Sequence, residues 1–147
     1  MAYRLPLLRV QLVREGSLTA ETKNITDPKD AVEIFNTLYP DLDRECLVVL
    51  LLDMKNNVRG VNTVSIGDLS SAITHPREIF KPAILANAAS IFMLHNHPSG
   101  DPTPSADDMD VSCRINDAGE LLGIELLDHV VVGAEGGYVS LKERGLF

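Results

Sequence analysis

The stretch RECLVVLLLD, residues 44–53, constrains the fold more than any other part of the chain. From Cys46 to Leu52 no polar residue interrupts it. A strand with one wet face alternates polar and apolar residues, whereas an unbroken Val/Leu run is expected of a strand covered on both faces. The turn MKNN then leads into VRGVNTVSIG, residues 58–67, a more polar and β-branched segment, and the two read as an antiparallel hairpin.

The flanking segments supply helices. TDPKDAVEIFNTLYP carries both of its end signals: Asp27 as N-cap, Pro28 at the first helical position, Asp30 three residues after the cap, and Pro40 as terminator. Residues 77–89 read as a second helix with Pro82 placed early, where it disrupts least. SIFMLH is a buried strand, and Ser105 opens a third helix, SADDMDVSCRINDAGELL, with Met109, Ile115 and Leu122 on one side and Gly123 as its cap. IELLDHVVVG is a further strand, YVSLKERGLF a short strand and a tail, and LPLLRVQLVR, residues 5–14, a loosely alternating strand. This order describes one α/β domain over residues 1–147, a mixed and mostly antiparallel sheet flanked by helices.

Bulk properties exclude several classes. At 147 residues with 45% hydrophobic and 23% charged residues, the chain has the composition of a globular domain with a real core. Its start, MAYRLPLLRV, lacks a signal-type apolar core, and no run approaches the ~20 residues of a membrane span, so a cytoplasmic location is expected. Thirteen basic residues against 21 acidic give a net charge of −8, against a phosphate-binding surface. Cys46 and Cys113 form no CxxC pair and are expected as buried, reduced thiols.

Chemistry concentrates in LHNHPSGDPTPSADD. Residues i and i+2 of a strand share a face, so His95 and His97 can aim at one divalent ion, and a catalytic zinc needs one more protein ligand. Asp101, Asp107, Asp108 and Asp110 follow. With Ser105 as N-cap, Asp108 lies three residues on and faces the same side, whereas Asp107 points elsewhere. Ser-x-x-Asp is equally an ordinary capping box. The two histidines, a carboxylate at a helix start and a loop stiffened by Pro98, Pro102 and Pro104 together point to a metal. Asn96 points away from its flanking histidines and is expected to bond backbone.

The pattern H-x-H-P-x6-S-x2-D resembles that of the JAMM (JAB/MPN) metalloprotease-like domains, and in particular their RadC-like branch. RECLVVLLLDMKNNV, HPREIFKPAI and ELLGIELLDHVVVG are similar to that branch too, in matching order over residues 25 to 147. The resemblance implies a JAB1/MPN architecture with cytidine-deaminase-like layers, and one zinc ion per chain held by His95, His97 and Asp108. It places Ser105 where its hydroxyl would stabilise an oxyanion and makes Glu45 the general base. The implied reaction is hydrolysis of a peptide or isopeptide bond in a peptide or protein substrate.

Other polar residues have plainer readings. Asp128 and His129 sit in an apolar strand as a hydrogen-bonded structural pair or as outer-shell partners of the zinc. His75, Arg77 and Glu78 read as a turn and helix start. The RadC-like branch is traditionally labelled a DNA-repair family, which sets a DNA-processing accessory as the alternative function; a non-catalytic MPN interaction module is the third. Longer RadC-like proteins carry an N-terminal helix-hairpin-helix region, which this chain is expected to lack. The sequence leaves a homodimer open.

Overall fold

The computed structural model describes residues 1–67 and 74–147. Its elements run α1 (Pro28–Leu38), β1 (Cys46–Leu52), β2 (Val58–Ile66), α2 (Pro76–Leu85), β3 (Ser90–Asn96), α3 (Ala106–Leu122), β4 (Glu125–Val132) and β5 (Tyr138–Ser140), with a 3-10 turn at Ala134–Gly136. The five strands form one sheet in the order β2-β1-β3-β4-β5. Among the described strands only β3 and β4 are parallel, and α3 is the crossover that joins them; the other pairings are antiparallel.

The unbroken apolar run is explained by where β1 lies. Cys46, Val48, Leu50 and Leu52 face α1, where Val32 and Phe35 pack on them. Leu47, Val49 and Leu51 face α2 and α3, against Ile79, Phe80 and Ile115. Burying one such leucine completely contributes about 1.5–3 kcal/mol, so both faces of β1 anchor the fold. The alternation continues into β3, which sends Phe92 and Leu94 to the α1 side and Ile91 and Met93 to the α3 side. His95 therefore falls on the α3 side.

Both anticipated caps form. Asp27 accepts from Lys29 N while Asp30 Oδ2 accepts from Asp27 N, and Gly123 ends α3 at φ 73°.

Five expectations are corrected. Among the described residues, 5–14 enter no ladder, and Leu7, Val10 and Val13 are exposed. Alternation reports an apolar face, not a neighbour to hydrogen-bond with, and among the described residues the first pairing comes at Asn24, bridged to Asn57. The second helix stops at Leu85 rather than 89, because Asn87 turns left-handed at φ 52°. Pro82 stands seventh of its ten residues, not early, and leaves the Glu78 carbonyl without its i+4 donor. The inward face of α3 is Asp108, Val111, Ser112, Ile115 and Gly119, while Leu122 is half exposed. Polar and small residues occupy that face for reasons given below, so apolar periodicity pointed to Met109 and Leu122 instead. Finally, Cys46 is buried but Cys113 is exposed on the outside of α3.

Candidate metal centre

Two elements meet at the end of the sheet. β3 delivers His95 and, one residue beyond its end, His97, whose backbone N–H donates to Val132 O of β4 at 3.0 Å. The chain then turns back through the proline loop to the start of α3. That loop is fastened to the end of β4 by Ala134 N to Gly100 O at 2.9 Å. Gly133 permits the close approach: a β-carbon there would lie 2.6 Å from Gly100 O and 2.8 Å from Pro102 Cδ.

At the helix start Ser105 and Asp108 cap each other. Asp108 N donates to Ser105 Oγ at 3.1 Å, and Ser105 N donates to Asp108 Oδ2 at 2.8 Å. The same carboxylate faces both histidines, with Oδ1 3.0 Å from His95 Nε2 and Oδ2 3.1 Å from His97 Nε2. The two Nε2 atoms are 3.3 Å apart. Among the described residues these three form the one group of His, Cys, Asp or Glu donors close enough to hold a metal ion. Asp101, Asp107 and Asp110 stand outside it.

The chemistry of the donors fits a cation. His97 Nδ1 lies 2.8 Å from the Asp101 carbonyl oxygen, which can only accept, so the N–H of the neutral ring sits there and Nε2 keeps its lone pair. That lone pair points at a carboxylate. Burial alone would push the Asp108 carboxyl up, but hydrogen bonding and charge from His95, together with the Ser105 N–H and His97, outweigh it and hold the group ionised, well below the usual carboxylate range. Two imidazole Nε2 atoms and an ionised carboxylate meet at one point, as the ligands of a divalent ion do.

Further partners surround the three candidate ligands. His95 Nδ1 lies 2.8 Å from His129 Nε2, and His129 Nδ1 bonds Ser112 Oγ. Burial, then the neighbouring His95, hold His129 well below the usual imidazole range, so its ring is neutral. His129 therefore touches the site, whereas its neighbour Asp128 does not. Asp128 accepts from His129 N, Ser140 Oγ and Lys142 N, tying β4 to the turn after β5, while burial pushes its carboxyl up. Sequence reasoning missed Ser112 and the Asp101 carbonyl. Ser112 was accessible to it, since it lies four residues after Asp108 on the same helix face.

Asn96 does bond backbone, and its partners are informative. Its Oδ1 accepts from Cys46 N at 2.8 Å and its Nδ2 donates to Arg44 O at 2.9 Å. The carboxamide thus grips the backbone on either side of Glu45. Leu47 pairs with His95, and the same register carried two residues further sets the half-buried Glu45 opposite His97. His75 caps α2 by accepting from Arg77 N at 3.3 Å, and Glu78 pairs with Lys81, so the helix-start reading of that segment stands. No helix among the described residues is long and apolar enough to cross a membrane.

Known proteins resemble this chain in sequence. The sequence profile of the RadC-like JAB domain matches residues 25–146. A UPF0758 protein of Desulfitobacterium hafniense (strain DSM 10664 / DCB-2) is 50% identical over 122 residues, 83% of this chain and 53% of that protein. One of Clostridium tetani is 52% identical over 128 residues, covering 87% and 56%, and one of Caldanaerobacter subterraneus subsp. tengcongensis is 44% identical over 140, covering 94% and 60%. The chain thus spans a little over half the length of these relatives. Its sequence, its mixed five-stranded sheet and its His-His-Asp cluster agree: the chain belongs to the RadC-like JAB domain family.

Proposed function

We propose that this domain is a zinc-dependent hydrolase of the JAMM type, cleaving a peptide or isopeptide bond, with His95, His97 and Asp108 as the zinc ligands. One observation carries the reading: two imidazole Nε2 atoms and both oxygens of one ionised carboxylate converge on a single point. A His/His/Asp set matches the three-ligand catalytic pattern, which keeps one coordination position open. Zinc bound there would supply a Lewis acid that lowers the pKa of a coordinated water to about 7.

The chain's own residues do the rest. Glu45 takes a proton from the attacking water and returns it to the leaving amine. The Ser105 hydroxyl uses an oxygen lone pair for its capping bond, which leaves its O–H to donate to the carbonyl oxygen of the scissile amide as negative charge develops there. A cleft of about 550 Å³ opens beside His97, lined by Phe35, Tyr39, Pro98, Val132, Ala134 and Glu135 among others. It would take the stretch of polypeptide flanking the cleaved bond.

A peptide-library digest with wild type and Glu45→Gln tests this. Cleavage by the zinc-loaded wild type, lost in Glu45→Gln with zinc retained, is the expected result; an active Glu45→Gln protein would remove the assigned mechanism. The DNA-processing alternative, which rests on the RadC resemblance, requires salt-sensitive DNA binding. The net charge of −8 weighs against it, and a flat titration at low salt would exclude it.

A further inference from the structure

We propose that this chain dimerises by strand exchange, residues 5–13 of each copy adding to the outer edge of β2 in the other. β2 ends the sheet, with β1 on its inner side. Among the described residues its outer side is met only at its first residue, where Val58 N donates to Lys23 O. The rest of that edge is a row of backbone N–H and C=O groups open to a further strand. The opposite edge, β5, offers three residues, whereas β2 offers nine.

The segment LPLLRVQLV is also nine residues long. In an extended chain Pro6, Leu8, Val10 and Leu12 share one face, and Arg9 and Gln11 lie on the other. Leu5, Leu7 and Leu8 are each at least 82% exposed. A contiguous run of large apolar side chains in water marks a surface built to be covered. Pro6 has no N–H to give a ladder, which an added strand tolerates because it becomes the new edge.

The edge of β2 has the matching face. Val61 and Ile66 pair with Leu50 and Cys46, which both face α1, so the two side chains stand on one side of the sheet. They are 36% and 55% exposed, and the Leu8, Val10 and Leu12 face would cover them.

Charge selects a second copy as the occupant. Residues 1–14 hold Arg4, Arg9 and Arg14 and no acidic residue, so removing these three charges from the net −8 leaves −11 on the rest of the chain. A basic strand is thus carried by an acidic body, and the body of another copy complements it. The chain does not satisfy this pairing within itself. It touches the start of its own β2 through the Asn24–Asn57 bridge, but upstream of that bridge residues 15–22 enter no ladder, and Leu18 packs on the core of the α1 side instead. Every copy carries both the strand and the edge that fits it, so a reciprocal exchange about a two-fold axis makes both contacts at once.

Sedimentation of the whole chain over a concentration series, with amide hydrogen exchange on the same samples, tests this. The wild type should approach twice its 16.0 kDa mass, with the amides of 5–13 and of β2 protected together as the dimer forms. Leu8→Glu/Val10→Glu on the added strand, and separately Ile66→Glu on the receiving edge, place a carboxylate among apolar side chains. Each should raise the dimer dissociation constant at least roughly tenfold and expose the β2 amides. All three positions lie outside the buried core, so both variants should keep the wild-type circular dichroism spectrum. A wild type that stays monomeric throughout overturns the proposal, and if its 5–13 and β2 amides are nevertheless protected, the segment pairs with its own chain. A dimer that survives both variants uses another surface and overturns it equally.

Discussion

Asp108 caps α3 and is the proposed metal ligand, and two substitutions separate the two roles. In chelator, Asp108→Ala removes the carboxylate that accepts the Ser105 N–H at 2.8 Å, half of the capping box of α3. Losing such a cap costs about 1 kcal/mol, within a range of roughly 0.5–2. For a chain of this size that lowers the melting temperature by about 2–4 °C. Asp108→Asn keeps an oxygen that can accept the same N–H and should lose less than about half of that. Added zinc reverses the grouping. At a free concentration 100 times its dissociation constant, zinc stabilises the wild type by about 2.7 kcal/mol, roughly 5–10 °C. Neither variant retains the ionised ligand, so neither should show the shift. Thermal melts of the three proteins with chelator and with zinc give six numbers. An Asp108→Ala protein as stable as wild type in chelator would refute the capping role. A zinc-induced shift kept in Asp108→Asn would refute the ligand role.

Three more predictions follow from the geometry. Asn96→Ala leaves the Cys46 N–H and Arg44 carbonyl without their partner and frees the backbone that carries Glu45; it should cost about 1–3 kcal/mol in denaturant melts and lower hydrolysis while zinc stoichiometry is kept. Gly119→Ala would set a β-carbon 2.4 Å from Ile124 O, so the usual helix gain of about 1 kcal/mol should be outweighed by an overpacking cost of about 1–3, and a variant more stable than wild type would contradict the packing of α3 on β4. Asp53 accepts from Asn57 N, Lys55 N, Asn57 Nδ2 and Arg59 Nε, and these bonds, the Asn57 N–H first, hold its carboxyl at about 2. A depressed folded pKa means the stabilisation is complete above the unfolded value near 3.9 and is lost as pH falls through about 2, so the gap between wild type and Asp53→Ala should stay constant above about pH 5 and shrink below 4.

How far the sequence disclosed this molecule depends on the range of the interaction concerned. β1 was readable because burial on both faces leaves an unbroken apolar string, and the caps of α1 and α3 because a capping box is complete within four residues. His95, His97 and Asp108 were readable for the same reason: strand alternation and the helical i,i+3 rule act locally, and a short proline loop joins the two elements. Glu45 needed the family, since its place opposite His97 depends on the register between strands about fifty residues apart. The inward face of α3 misled because it carries a candidate ligand at Asp108, a hydrogen-bonding serine at 112 and a contact-permitting glycine at 119, so the residues that matter most there are the least apolar. The N-terminal segment misled in the opposite sense, as its apolar alternation meets no pairing strand among the described residues.

The central claim is that the end of β3 and the start of α3 hold one catalytic zinc. It is tested most directly by elemental analysis of wild type and His97→Ala after equilibration with zinc and removal of excess metal. The predicted result is one zinc per wild-type chain and none above background in His97→Ala. Equal zinc in both proteins, or none in a folded wild type, would contradict it.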